Sequence, residues 1–236
     1  MTDAAVSASR PLVVFDFDHT LYDGDSGAHL VSWLLKRRRW RKALALLATP
    51  LLLPLLAWLP TRRHGISGYL WIGTVGDTRP FERLIDAYVA ANAPSIRARL
   101  LSPALAVLHG HRVAGDEVVV ATGAPPELAR AILDFVAHQD LPVVGSLGRR
   151  MLGGYVTDQH CHAGNKMRML RARGYGAVEV AYSDSSADLP LLRAARKPVV
   201  VNPKPRRVEM FRRVLPPGTP ILNWGCSSRA GDQRVP

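Results

Sequence analysis

Two aspartates separated by one residue, in Asp16-Phe-Asp18-His-Thr20, follow directly on the apolar run Pro11-Leu-Val-Val-Phe15. In extended chain, residues i and i+2 point the same way, so a strand continuing through Phe17 aims both carboxylates at one spot. A carboxylate can attack the phosphorus of a phosphate monoester, but two anions must then meet. A shared cation is needed, and paired carboxylates are how proteins seat Mg²⁺ beside a phosphate. An aspartate after a strand is also ordinary turn chemistry, so the pair alone decides nothing.

Three more clusters bear on the same chemistry. Val119-Val-Ala-Thr122-Gly123 ends an apolar run with a hydroxyl and a glycine, and the side-chain O–H and unhindered backbone N–H of such a pair can grip a phosphate oxygen. Lys166, in Gly164-Asn-Lys-Met-Arg-Met-Leu170, opens a helical stretch, where the helix dipole disfavours a cation unless an anion sits nearby. Tyr182-Ser-Asp184-Ser-Ser-Ala-Asp188 closes another apolar run with carboxylates four apart, suited to capping a helix or to holding and supporting a metal. Each cluster alone has an ordinary structural explanation. Four in this order are hard to obtain by accident.

The elements that must position these groups follow from periodicity. The β-branched runs Pro11–Phe15, Glu117–Ala121, Ala177–Tyr182 and Pro198–Val201 read as buried strands, alternating with helical stretches such as Pro126–His138 and Lys166–Arg173. That rhythm predicts a doubly wound, Rossmann-like parallel α/β sheet with its ligand crevice beyond the carboxyl ends of the strands. About a hundred residues separate the first strand from Glu117, too many for a crossover connection, which predicts an inserted helical cap. The expected organisation is a loose arm over residues 1–10, a catalytic core over 11–26 and 116–224, a cap over 27–115 and a disordered tail over 225–236. The opening MTDAAVSASR lacks the apolar stretch of a secretory signal. Cys161 and Cys226 lie far apart without CxxC spacing, which argues against a disulfide framework or zinc site and for a reducing, cytoplasmic setting. The net charge of +12 calls for an anionic partner: nucleic acid, anionic lipid or a phosphorylated substrate.

The ordered set DFDHTL, VVATG, the Lys166 segment and YSDSSAD resembles the four motifs of the haloacid-dehalogenase-like phosphohydrolases, in particular the phosphoserine-phosphatase-like branch, with its cap between the first two motifs. The resemblance spans residue 11 to about 205. It implies that Asp16 forms an aspartyl-phosphate intermediate and ligates Mg²⁺, and that Asp18 acts as acid and base while its backbone carbonyl ligates the metal. It further implies that Thr122 and the Gly123 amide bind the phosphoryl group, Lys166 neutralises it, Asp184 completes the metal site, and Asp188 orients Lys166 or a metal-bound water. Thr20 is expected to cap the chain reversal, and Asp25 matches a substrate-contacting acidic position, although a solvated loop aspartate is an equal expectation there. His19 and Ser183 stand where that family frequently has glycine. His160-Cys-His162 offers two histidines without a further ligand, usually surface chemistry, and is assigned no catalytic role.

Six of the seven residues from Lys36 to Lys42 are basic, and the eighteen from Ala43 to Pro60 carry no charge. That pairing is a membrane signal. As a helix the apolar stretch reaches roughly 25 Å, short of a ~30 Å hydrocarbon core, and Pro50 and Pro54 are expected to break it. Because the first motif precedes it and the others follow, an odd number of crossings is excluded. A re-entrant or interfacial hairpin around 43–60 is expected, with basic flanks at both ends and Trp40 and Trp58 at the interface level, on the cytoplasmic face of the membrane. The alternative is an apolar cap core with a solvated arginine run. The cap pattern, with Leu70-Trp71, Ala121-Thr-Gly-Ala-Pro125 and Tyr182-Ser-Asp-Ser185, resembles the phosphatidylglycerophosphatase C family, which implies a phospholipid substrate. A soluble phosphatase for phosphoserine or another small phosphomonoester and a non-catalytic basic lipid-binding protein are the competing expectations. Nucleic acid fits worst, because the arginines adjoin an apolar run instead of interleaving with stacking aromatics.

Overall fold

The computed structural model describes residues 10–58, 60–138 and 140–227. Of the expected arm only Arg10 falls within the described residues, and of the expected tail only Gly225–Ser227. In chain order the strands are β1 (Leu12–Phe15), β2 (Glu117–Ala121), β3 (Val143–Val144), β4 (Leu147–Met151), β5 (Gly154–Gln159), β6 (Val178–Ser183), β7 (Lys197–Val201) and β8 (Ile221–Leu222). The helices are α1 (Ser26–Lys36), α2 (Arg39–Ala57), α3 (Arg62–Thr74), α4 (Phe81–Arg97), α5 (Ser102–Val113), α6 (Pro126–Leu133), α7 (Gly164–Ala172), α8 (Leu189–Ala194) and α9 (Pro205–Val214).

The six-stranded sheet has the order β3-β2-β1-β6-β7-β8, and every pairing in it is parallel. This is the doubly wound sheet that the alternation of apolar runs predicts. β1 is buried on both faces, as a central parallel strand must be. Val13 and Phe15 pack with α4, α5 and α6 through Leu84, Leu108 and Leu128, and Val14 packs on the opposite face with Leu170, Leu191 and Phe211 of α7, α8 and α9. From β1 the chain winds to β2 and β3 on one side and returns to β6 on the other. The strand order therefore reverses between β1 and β6, the place where such sheets open a crevice.

Among the described residues five helices lie between β1 and β2, and α5 leads back onto the sheet with Ala104 and Leu108 fully buried. α2 and α3 form an antiparallel hairpin. A Cβ on Gly65 of α3 would lie 3.0 Å from the backbone nitrogen of Leu56 and closer still to its side chain, so this approach requires glycine. The hairpin is anchored where Tyr69 donates to Thr49 Oγ1 at 3.0 Å and Trp71 Nε1 to the Met151 carbonyl at 3.1 Å, on the antiparallel β4–β5 hairpin.

Two details correct the expectations for this region. α2 continues from Arg39 to Ala57 through both Pro50 and Pro54. The prolines stand four apart and both are exposed, so the carbonyls they leave without a helical partner lie toward the outside, where another donor can reach them. Nor is the whole arginine run solvated: Arg41 is buried and donates to the carbonyls of Gly73 (2.8 Å) and Val75 (2.6 Å), closing the C-terminus of α3. Among the described residues α2 is the one helix long and apolar enough to cross a membrane, and only 17% of that window is buried.

Candidate active site

Asp16 continues the β1 ladder, its amide donating to the Tyr182 carbonyl of β6 at 2.9 Å. Its carboxylate thus sits at the switch point itself. Lys166, on the first turn of α7, places Nζ 2.8 Å from Asp16 Oδ1 and 2.6 Å from Asp188 Oδ2, with all three side chains buried. Burial pushes the Asp16 carboxyl upward, against the pull of Lys166. Burial pulls the Lys166 ammonium down, but Asp16 and Asp188 outweigh it and hold it above its ordinary value. The anions expected beside this lysine are therefore the protein's own.

Asp18 comes two residues later, half-buried, with Oδ1 accepting the Ser26 amide of α1 at 2.8 Å. Burial first, and Asp25 second, raise its carboxyl well above the ordinary range, while the Ser26 amide pulls the other way. A carboxyl whose hold on its proton is strengthened by burial is suited to acid–base work. Asp25 is exposed and caps α1, accepting the Ala28 amide at 2.8 Å, and it lines the same cavity.

His19 takes a left-handed conformation, φ +58°, a region that favours glycine, and its carbonyl is held by Asn202 Nδ2 at 2.8 Å. Thr20 does not cap the reversal. Its hydroxyl is buried without a hydrogen-bond partner, and the turn is closed by the amides of Thr20, Leu21 and Tyr22 on the Phe17 carbonyl at 3.2, 2.8 and 3.0 Å.

Asp16, Asp18, Gly123, Lys166, Asp184 and Asp188 all line one cavity of about 950 Å³. Thr122 does not line it: the residue is fully buried, with Oγ1 accepting the Ala124 amide at 3.0 Å, so it shapes the loop whose next residues face the cavity. Ser183, noted in the sequence only as a departure, donates to Asp188 Oδ2 at 2.7 Å and so braces the carboxylate that braces Lys166. His160 and His162, expected at the surface, line the same cavity and stack on each other. Around the rim stand Lys36, Lys42 and Arg62 from the cap and Arg206 and Arg207 from α9. The sequence pointed to a basic cap segment but gave no sign that α9 would join it.

The donor set fits a hard divalent cation. Asp16, Asp18, Asp184 and Asp188 all line the cavity around the buried ammonium of Lys166, so hard oxygen donors are at hand there. No group of three or more His, Cys, Asp or Glu side chains among the described residues forms a cage. A cation seated there would need carbonyl oxygen and water beside one or two of these carboxylates, the coordination Mg²⁺ takes.

The fold and site define a doubly wound α/β protein with a carboxylate–lysine centre at its switch point. The haloacid dehalogenase-like hydrolase profile matches residues 13–193, and the chain belongs to that family. Among solved structures it is similar to a protein of unknown function from Bordetella pertussis Tohama I, at 22% identity and TM-score 0.71, covering 92% of this chain and 99% of that one. It is also similar to a phosphoserine phosphohydrolase-like protein from Francisella tularensis subsp. tularensis SCHU S4 (16%, TM-score 0.58, 94% and 98% covered) and to a substrate-bound phosphoserine phosphatase (15%, TM-score 0.55, 91% and 93%). At such identities these likenesses establish the fold. No curated protein sequence matches the chain.

Proposed function

We propose that the protein is a Mg²⁺-dependent phosphomonoesterase that works through an aspartyl-phosphate on Asp16 and acts on a membrane phospholipid such as phosphatidylglycerophosphate. The observation that carries the chemistry is the placement of Asp16 and Asp18 on one cavity wall, with Lys166 2.8 Å from the first and the carboxyl of the second held above its ordinary range. In the first step an Asp16 oxygen bonds to phosphorus as the bond from phosphorus to the leaving oxygen breaks, and Asp18 gives that oxygen its proton. In the second, Asp18 takes a proton from water as the water oxygen displaces Asp16, releasing phosphate. Lys166 and the Gly123 amide stabilise charge on the transferring group. Asp16, Asp184 and the Asp18 carbonyl would hold Mg²⁺, which shields the phosphate charge from the attacking carboxylate.

The lipid assignment rests on α2. Leu46, Leu47 and Leu51 are 74%, 79% and 73% exposed, a contiguous apolar face on a helix that begins in the basic run and ends at Trp58. Water disfavours such a face and a bilayer accepts it. Leu56 and Ala57, at the end of the same helix, line the cavity, so the helix that carries the apolar face reaches the site. The expected location is the cytoplasmic face of the membrane.

Phosphate release should be measured on phosphatidylglycerophosphate, phosphatidic acid and phosphoserine, with Mg²⁺ and with chelator. The expected result is metal-dependent release, strongest on the first substrate and abolished in Asp16→Asn. Equal or better turnover of phosphoserine would leave a soluble small-molecule phosphatase, and activity surviving Asp16→Asn would remove the covalent step.

A further inference from the structure

His160 and His162 stand outside the catalytic set, yet they are built into it. Their rings stack with centroids 5.1 Å apart and 16° between planes. The turn that carries them is tied down: the His162 amide donates to the His160 carbonyl at 2.9 Å, and the Cys161 amide to Ser146 Oγ at 2.9 Å. Ser146 Oγ in turn donates to the Gly123 carbonyl at 2.6 Å. A Cβ built on Gly123 would lie 3.8 Å from His160 Nε2, which puts that ring nitrogen at the rim of the loop facing the phosphoryl group. The cap brings Arg62 to the same cavity.

This wall has donors to spare. Among the described residues no carboxylate lies within ion-pair distance of Arg62, and the buried Nε2 of His162 has no hydrogen-bond partner. Burial lowers both imidazoles, and His162, Arg62 and Lys166 take His160 down to about 4 despite Asp25. Two neutral rings beside one guanidinium offer directed N–H donors with a single full charge, a match for a monoanion and a poor one for a second dianionic phosphate. Beyond Arg62 the lining turns apolar at Leu56, Ala57 and Ile66. A group seated on the wall therefore lies between a polar head and hydrocarbon.

We propose that His160, His162 and Arg62 form a second anion subsite that takes a phosphodiester carried on the leaving-group side of the substrate. The inference rests on the phosphatase assignment and names what its substrate must contain.

The test compares kcat/KM on glycerol 3-phosphate, which has no second anion, with kcat/KM on glycerophosphoglycerol phosphate, which has the diester but no acyl chains. Acylated phosphatidylglycerophosphate in micelles serves as a third arm that separates headgroup recognition from the contribution of α2. Charge-assisted hydrogen bonds predict a preference of about tenfold to a hundredfold for the diester-bearing soluble ester, collapsing toward unity in Arg62→Ala and His160→Ala. A preference that stays the same in the variants would overturn the subsite. Arg62 is exposed, so its variant carries the test if the histidine variant folds poorly. Independently, imidazole NMR signals are followed while glycerophosphoglycerol, which has no cleavable monoester, is added. Shifts of His160 and His162 that vanish in Arg62→Ala support the subsite even if no ester is turned over, an outcome that would sink the phosphatase assignment alone. The absence of any shift would remove the subsite whatever the turnover.

Discussion

Asp188 holds Lys166 more closely than Asp16 does, at 2.6 Å against 2.8 Å, and both side chains of the closer pair are 2% exposed. The lysine is therefore fixed from behind by a carboxylate that Ser183 also grips, leaving its charge aimed at Asp16 and the space in front of it. An orienting partner of this kind is worth about tenfold to a hundredfold. Asp188→Asn should lower kcat by that factor with a smaller change in KM, since it loosens the ammonium without removing it. Steady-state kinetics on one soluble monoester decides the point, and an unchanged kcat would mean that Lys166 needs no brace.

Removing the ammonium should cost folding stability in a pH-dependent way. Lys166→Met leaves Asp16 and Asp188 buried without their cation, a loss of about 3–5 kcal/mol when both are ionised. Burial already holds the Asp16 carboxyl above its ordinary value against the pull of Lys166, so with the lysine gone it rises further. The variant is then relieved by protonation at low pH and loses stability as pH rises through the raised value. Urea unfolding without divalent cations should show a gap from the parent protein that is larger at pH 8 than at pH 5. A gap independent of pH would mean that the damage is one of packing.

That Asp16 and Asp18 would face one cavity was legible because their geometry is local. Asp16 and Asp18 sit at i and i+2 after an apolar run, and the burial of β1 on both faces could be read from Leu12–Phe15 alone. What could not be read depends on partners remote in sequence. Ser183 looked like a deviation from a glycine until Asp188 folded back onto it, and Arg41 looked like one more surface arginine until α3 ended against it 32 residues later. His160 and His162 resembled surface residues because nothing local says that Ser146 and Gly123 will stand beneath them. The prolines of α2 were overweighted for the opposite reason: a local rule, helix breaking, gave way to a hairpin that α3 stabilises along its length.

The histidine wall should show in the acid limb of stability. Burial, the neighbouring imidazole and Arg62 set His160 at about 4 in the folded protein, against an ordinary value near 6.5. Between those values the unfolded chain binds more protons, so stability falls as pH drops from about 6.5 toward 4 and is flat with respect to this group above that window. Thermal unfolding of the parent and of His160→Gln should diverge in slope within that window only. Parallel profiles would mean that the ring is solvated enough to titrate normally.

The exposed face of α2 yields a prediction in which folding barely responds to a change that abolishes tight membrane binding. Leu46, Leu47 and Leu51 pack little against the protein, so replacing all three with serine should shift unfolding by no more than about 0.5 kcal/mol per site. In a bilayer each leucine would bury its side chain for about 1.5–3 kcal/mol, so losing three should weaken binding by a thousandfold or more. Flotation with anionic vesicles at low and high salt separates the two contributions. The parent should stay bound at high salt and need detergent for release, while the triple variant, keeping Lys36 to Lys42, should bind weakly at low salt and leave at high salt. Release of the parent by salt alone would mean that charge does the holding and that the leucines face some other apolar partner.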